Sequence, residues 1–123
     1  MVKLVFVIRR RADLPPEEFH RYWLEEHGPL ARSLLEQLGA RRYVQTHTLN
    51  TDLNGALAAA RRTTEAYDGL AEIWWDSLDG LLAATGSEAG QSANETLMED
   101  EARFIDFGRS SFFVTEEHAI LEQ

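Results

Sequence analysis

Apolar, aromatic and β-branched residues alternate between two faces in four segments of this chain, over residues 2–9, 41–49, 68–75 and 111–121. A period of two along a short segment is typical of a strand with at least one buried face. The alternation therefore predicts four strands. It also places residues two apart on the same side of a sheet.

The segment between the first two strands has the period of a helix instead. It begins at Pro16, and the acidic residues that follow complement the positive end of a helix. Pro29 has no backbone N–H and disfavours helical geometry at the residue before it, so we expect a break or kink after His27. A second helical piece should then run to Leu38 and end at Gly39.

The second half of the chain repeats the order strand, helix, strand. Residues 77–85 and 95–107 are predicted helical. The long polar connection over residues 50–67 has an alanine-rich middle that could form a turn or two of helix, and its length is typical of a lid or an interface element. The order β-α-β-β-α-β predicts an α+β fold of the ferredoxin-like, split βαβ type.

Right-handed crossovers then give a four-stranded antiparallel sheet in the order 4-1-3-2, with helices on one face only. A chain of 123 residues has the length of one domain, so we assign residues 1–123 to a single unit. The other sheet face would remain apolar and exposed, and a second copy of the sheet is the simplest cover for it. The pattern therefore predicts a homodimer.

Composition removes several classes of function. The formal net charge of −9 disfavours a nucleic-acid partner, because such proteins bind through phosphate neutralisation. The chain contains no cysteine, which excludes disulfides and thiolate chemistry. Its apolar N-terminal run is too short to span a membrane and lacks the basic start and cleavage site of a signal peptide. We therefore expect a cytoplasmic protein with no membrane partner.

His27 is the first candidate for chemistry. Its angular position on the helix lies among those of Phe19, Trp23 and Leu34, which predicts that the imidazole is turned toward the core. Two interpretations remain open. The ring could hydrogen-bond to the last carbonyls of the first helical piece, or it could line a pocket and take part in proton transfer.

His47 is the second candidate. It lies in the middle of a predicted strand and shares a face with Tyr43 and Gln45. Glu72 on the neighbouring strand could come within reach and raise the pKa of the imidazole, as in a general base. The alternative is a structural polar pair near the sheet edge. We expect His20 and His118 to be exposed.

No metal or cofactor site is indicated. His20 and His27 are two helical turns apart, about 10 Å, which is too far for one ion. No glycine-rich loop follows a strand, and no serine occupies a nucleophile elbow. Trp23, Trp74 and Trp75 are more typical of a core than of a cofactor platform.

Five motifs in the same order show that the sequence resembles the EthD family of the dimeric α+β barrel superfamily. They are Phe19-x-x-Tyr22-Trp23-x-x-x-His27-x-Pro29, Tyr43-Val44-Gln45-x-His47, Asp68-Gly69-x-Ala71-Glu72-x-Trp74-x-Asp76, Asp100-Glu101-x-x-Phe104-x-Asp106 and Thr115-Glu116-Glu117-His118. One departure is Pro15, where members often have a serine or threonine helix cap.

The resemblance implies a homodimer whose two sheets close into a barrel, with a pocket in each subunit between sheet and helices. The family is linked to the degradation of ethyl tert-butyl ether. Similar domains in fungal polyketide pathways are dehydratases or decarboxylases, and superfamily relatives include cofactor-free monooxygenases, lactone isomerases and polyketide cyclases. A shared fold does not determine which of these reactions a member catalyses.

We therefore expect a cofactor-independent enzyme acting on a small, apolar, oxygen-bearing molecule, of the oxidoreductase, dehydratase or decarboxylase, or isomerase type. His27 and His47 are the expected catalytic residues. The expected substrate-binding residues are Tyr22, Trp23, Tyr43, Gln45, Glu72 and Trp74. The alternatives are a non-catalytic ligand-binding or accessory homodimer in a catabolic pathway, and a structural dimer module with a filled core.

Overall fold

The computed structural model describes residues 1–123 and contains one four-stranded sheet. Its strands are β1 (Val2–Ile8), β2 (Arg42–His47), β3 (Gly69–Trp75) and β4 (Ser111–Thr115). They are arranged as β2-β3-β1-β4, and every neighbouring pair is antiparallel. This is the predicted order 4-1-3-2 read from the opposite edge, so the ferredoxin-like arrangement is confirmed. The last strand ends earlier than predicted.

Five α-helices accompany the sheet. They are α1 (Pro16–Arg21), α2 (Gly28–Gln37), α3 (Asp52–Arg61), α4 (Leu78–Gly86) and α5 (Glu88–Glu101). A π-helical turn over Tyr22–His27 joins α1 to α2, and a short 3₁₀ turn covers Phe107–Arg109.

The expected break at Gly28-Pro29 is absent. Gly28 keeps helical angles, with φ of −52° and ψ of −54°, and its N–H donates to the carbonyl of Trp23 five residues back. The missing N–H of Pro29 is instead accommodated by widening the preceding turn into π geometry, which is how helices often absorb such a defect. Of the predicted break or kink, the break was wrong: the helical path is continuous, and its geometry changes in a wide turn that ends at His27.

Two other helices differ from the expectation. The connection between β2 and β3 forms the ten-residue helix α3, capped by the Thr51 hydroxyl, and none of its residues is buried. Helix α5 begins at Glu88, earlier than predicted, because Ser87 caps it. It ends at Glu101, since the chain then turns to bring Ile105 alongside Arg10 in an isolated bridge.

The core lies between the helices and one face of the sheet. Phe19 and Trp23 from the first helical path are fully buried there, as is Phe104, which follows α5. The sheet contributes alternate residues of its two central strands, as the period of two predicts. These are Phe6 and Ile8 of β1 with Ala71, Ile73 and Trp75 of β3.

The other sheet face carries no helix. Leu70 is half-buried on it, and the Lys3 ammonium lies 2.6 Å from the Glu72 carboxylate. The indole N–H of Trp74 donates to Glu117 across 2.5 Å. We call this surface the open face.

Gly69 leaves room for the Trp23 ring to pack closely against the sheet. A Cβ at this position would lie 2.5 Å from the Thr46 carbonyl oxygen and 2.6 Å from the Trp23 ring. We predict that Gly69→Ala lowers the free energy of unfolding by about 1–3 kcal/mol in urea titrations, because neither backbone nor buried indole can move freely. Gly55→Ala on α3 meets open space and should be neutral or stabilising by up to about 1 kcal/mol. Equal destabilisation by the two substitutions would contradict this packing.

Candidate functional site

A cavity of about 360 Å³ lies between the helices and the inner face of the sheet. Its walls are mostly apolar side chains of β1, β3, α2 and α5. The polar residues that line it are His27, Tyr43, Thr85, Asn94, Glu101 and Ser110. An apolar enclosure with a few polar groups is the usual form of a small-molecule site.

His27 lines this cavity and is held by Asp100. Its side chain is 5% exposed, and its Nδ1 lies 2.7 Å from Oδ2 of Asp100. The other oxygen of Asp100 accepts a hydrogen bond from the Tyr22 hydroxyl at 2.5 Å. Because both carboxylate oxygens act as acceptors, the proton of the neutral imidazole is on Nδ1, which leaves Nε2 as a free base.

Burial determines the protonation states of this cluster. It lowers the pKa of His27 below its ordinary value, although Asp100 opposes the shift. Burial, reinforced by the Asp100 carboxylate, raises the pKa of Tyr22 to about 12, so Tyr22 remains a donor. At neutral pH the imidazole is therefore predominantly uncharged.

Glu101 brings a second titratable group to the same end of the cavity. Its side chain is 13% exposed, and Oε2 lies 3.9 Å from Nε2 of His27, which is too far for a hydrogen bond. No protein group donates a hydrogen bond to the Glu101 carboxyl. Burial and the neighbouring charge of Asp100 raise the pKa of Glu101 to about 7. A large fraction of the carboxyl is therefore protonated at neutral pH.

Helix geometry explains how adjacent acids take different roles. Asp100 and Glu101 are the last two residues of α5, and successive helical side chains point about 100° apart. Asp100 thus contacts Tyr22 and His27, while Glu101 faces the cavity. The sequence contains a signal for this arrangement: Gly90, Ala93 and Leu97 form an apolar stripe along the helix, and the next position of that stripe is Glu101.

His47 lies on the helix-covered side of the sheet but does not line the cavity. The His47 ring stacks on the Trp23 ring, with centroids 4.2 Å apart. Trp23 lines the cavity, whereas His47 does not. Both expected catalytic histidines therefore lie on the helix-covered side of the sheet, but only His27 is among the residues that line the cavity. His20 is half-buried rather than exposed, with its Nδ1 2.7 Å from Nδ1 of His47. His118 is exposed as expected.

The remaining aromatic and amide residues have different places. Trp23 and Tyr43 line the cavity. Gln45 is adjacent to it and donates to the Trp23 carbonyl at 2.8 Å and to the Tyr43 hydroxyl at 2.9 Å. Tyr22 does not line the cavity and acts instead on Asp100.

Glu72 and Trp74 lie on the open face, away from the cavity. In the register of β2 and β3, Glu72 is opposite Val44 and Gly69 is opposite His47. The expected contact between Glu72 and His47 was therefore wrong, because directly opposed residues share a face and these two side chains project from opposite sides of the sheet.

The donor set of the site does not favour a metal or a phosphate-bearing cofactor. No three histidine or acidic side chains are placed to hold an ion. The cavity is lined by no lysine or arginine that could pair with a phosphate. As for the wider chain, no helix has both the length and the apolar character needed to cross a membrane.

Solved structures show the same fold at low sequence identity. An EthD family protein from Bacillus halodurans has a TM-score of 0.63 and 19% identity, over 96% of this chain and 99% of that one. A dimeric ferredoxin-like protein of unknown function from Bacteroides fragilis gives 0.59 and 14%, over 94% and 95%. SnoaB, a cofactor-independent oxygenase from Streptomyces nogalater, gives 0.55 and 15%, over 99% and 97%.

The sequence itself carries the family assignment. None of the curated proteins matches the chain. The EthD domain matches residues 11–108, which include the π-helical turn, β2, β3 and the acidic end of α5. This protein therefore belongs to the EthD family.

Proposed function

We propose that this protein is a cofactor-independent enzyme that transfers protons on a small, apolar, oxygen-bearing substrate. The observation that carries the proposal is the pairing of His27 and Glu101 at one end of an apolar cavity. His27 is the base, and Glu101 is the acid. SnoaB, described as a cofactor-independent oxygenase, supports the proposal as an example of such chemistry on this fold.

The two groups are complementary because their environments shift their pKa values in opposite directions. The pKa of His27 is lowered, which keeps Nε2 free to accept a proton. The pKa of Glu101 is raised to about 7, which keeps a proton available. Both are in their reactive forms just below pH 7, and the pair loses the acid at higher pH and the base at lower pH.

Removal of a proton beside a carbonyl or from a phenol leaves an electron-rich anion. Return of a proton at another carbon gives isomerisation, loss of a leaving group gives dehydration, and reaction with dioxygen gives oxygenation. The pair of His27 and Glu101 supports the removal of a proton, which is the first step of all three reactions. His47 lies outside the cavity, so we assign it no direct contact with the substrate.

A homodimer completes the proposal. The open face carries Leu70 and the Lys3–Glu72 ion pair without a covering helix, and the protein from Bacteroides fragilis that shares the fold is described as dimeric. Pairing two open faces would close a barrel and leave one cavity in each subunit, on the side remote from the interface.

We predict that the protein catalyses hydrogen–deuterium exchange at the carbon next to the carbonyl of 2-tetralone, followed by proton NMR in D₂O. His27→Ala should slow the exchange by on the order of 10²–10⁴-fold, because it removes the base. Glu101→Gln should slow it less, because the first deprotonation needs only His27.

Exposed residues of the same types provide the controls. His118→Ala and Glu99→Gln should leave the exchange rate unchanged, since both side chains lie in solvent. Losses below about tenfold for a folded His27→Ala variant would contradict the catalytic role. That result would favour the non-catalytic ligand-binding alternative, in which the same cavity only holds the molecule.

We predict a dimer in sedimentation velocity at micromolar concentration. Leu70→Glu should produce monomers, because it would bury an unpaired carboxylate between the two open faces. Leu57→Glu on the exposed side of α3 is the matched control and should remain dimeric. A monomeric wild-type protein would contradict the barrel, and dissociation by Leu57→Glu alone would indicate an interface through α3 instead.

A further inference from the structure

A chain of hydrogen bonds runs from His20 to the edge of the cavity, and the contacts fix its direction. Gln45 is the central member. Its amide nitrogen lies 2.8 Å from the Trp23 carbonyl oxygen, which can only accept a hydrogen bond. The opposite orientation of the amide would place two oxygens against each other. The second amide proton of Gln45 is donated to the Tyr43 oxygen, 2.9 Å away.

The orientation of Gln45 determines the tautomers of both histidines. The Gln45 carbonyl oxygen lies 2.8 Å from Nε2 of His47, so this nitrogen carries the proton. In the neutral ring Nδ1 is then an acceptor. The Nδ1 of His20, 2.7 Å away, must therefore donate to it. The chain runs in one direction, from His20 through His47 and Gln45 to Tyr43.

The chain of hydrogen bonds ends at Tyr43, whose hydroxyl proton has no acceptor in the protein. The Tyr43 oxygen already accepts from Gln45, and its hydroxyl donates to no protein atom. The residue lines the cavity in which His27 and Glu101 face each other. Burial raises the pKa of Tyr43, so the group keeps its proton at neutral pH.

We propose that Tyr43 is the hydrogen-bond donor that holds a carbonyl or enolate oxygen of the substrate, and that Gln45, His47 and His20 are positioning residues that aim its hydroxyl. The inference rests on the proposed function and narrows it to substrates with an enolisable carbonyl group. Successive hydrogen bonds of one direction also polarise one another, which strengthens the terminal donor.

The proton balance of the step is complete. The C–H bond beside the carbonyl breaks, and its proton passes to Nε2 of His27. The electron pair forms a C=C bond, and the carbonyl oxygen becomes the enolate oxygen that accepts the hydrogen bond from Tyr43. The C=C electron pair then forms a new C–H bond with the proton of Glu101 and the carbonyl is restored; transfer of the proton from Nε2 of His27 to the Glu101 carboxylate returns both groups to their starting forms. A fixed donor at the atom where charge develops is an effective form of electrostatic catalysis.

The test compares equilibrium binding of two probes of the same shape, 2-tetralone and the hydrocarbon tetralin. Trp23 and Trp75 line the cavity, so quenching of tryptophan fluorescence reports binding. We expect the wild-type protein to prefer the ketone by roughly three- to tenfold, the range of one neutral hydrogen bond. Tyr43→Phe should abolish this preference and leave tetralin affinity unchanged.

The roles of the positioning residues are tested by measurements that would not change if these residues only stabilised the fold. Nitrogen-15 NMR of the wild-type protein should show His47 protonated at Nε2 and His20 at Nδ1. His47→Phe keeps an aromatic ring against Trp23 but breaks the chain. It should reduce the ketone preference and shift the infrared carbonyl band of bound 2-tetralone part of the way toward its position in Tyr43→Phe.

The outcomes separate this inference from the proposed function. Equal affinity of wild-type protein for both probes, or an unchanged preference in Tyr43→Phe, would overturn the role of Tyr43 alone. The opposite tautomers would overturn the direction of the chain. Failure of both probes to bind would overturn the cavity as a substrate site. A His27→Ala variant that keeps the ketone preference but loses exchange would support both proposals.

Discussion

The hydrogen bond between His27 and Asp100 is the interaction on which the site depends. It joins the π-helical turn before α2 to the last turn of α5, two elements far apart in sequence. It holds the imidazole in the tautomer that leaves Nε2 free, and it brings Glu101 to the same end of the cavity. Without the wide turn that Pro29 imposes, the angular position of His27 relative to α5 would differ.

Burial does two things at this contact. It excludes water, which strengthens each electrostatic interaction, and it disfavours charge on His27 and Glu101 alike. The negative charge of Asp100 opposes the shift for the imidazole and reinforces it for the carboxyl. Asp100 therefore helps to keep Glu101 a neutral acid and fixes the tautomer of His27, while burial keeps that imidazole a neutral base 3.9 Å from the acid.

The sequence was informative where local geometry decides the result. Alternation along β2 correctly placed Tyr43, Gln45 and His47 on one face, and the order of elements predicted the sheet. Prediction from the sequence failed where the position of a side chain depends on packing between distant segments. The large ring of Trp23 lies between His47 and the cavity, and the register of β2 with β3 sends Glu72 to the open face. Neither the position of the Trp23 ring nor the strand register can be predicted from the periodicity of a single segment.

The most direct test of the account is the titration of the Glu101 carboxyl carbon by carbon-13 NMR. We predict a pKa near 7 and, in Asp100→Asn, a lower value, because the like charge is removed. Since the folded-state pKa is raised above the unfolded one, Glu101 should also make the protein less stable as pH rises toward 7, and Glu101→Gln should remove this dependence. A pKa near 4.3, the ordinary value of a solvated glutamate, would contradict the acid–base pair at the centre of this account.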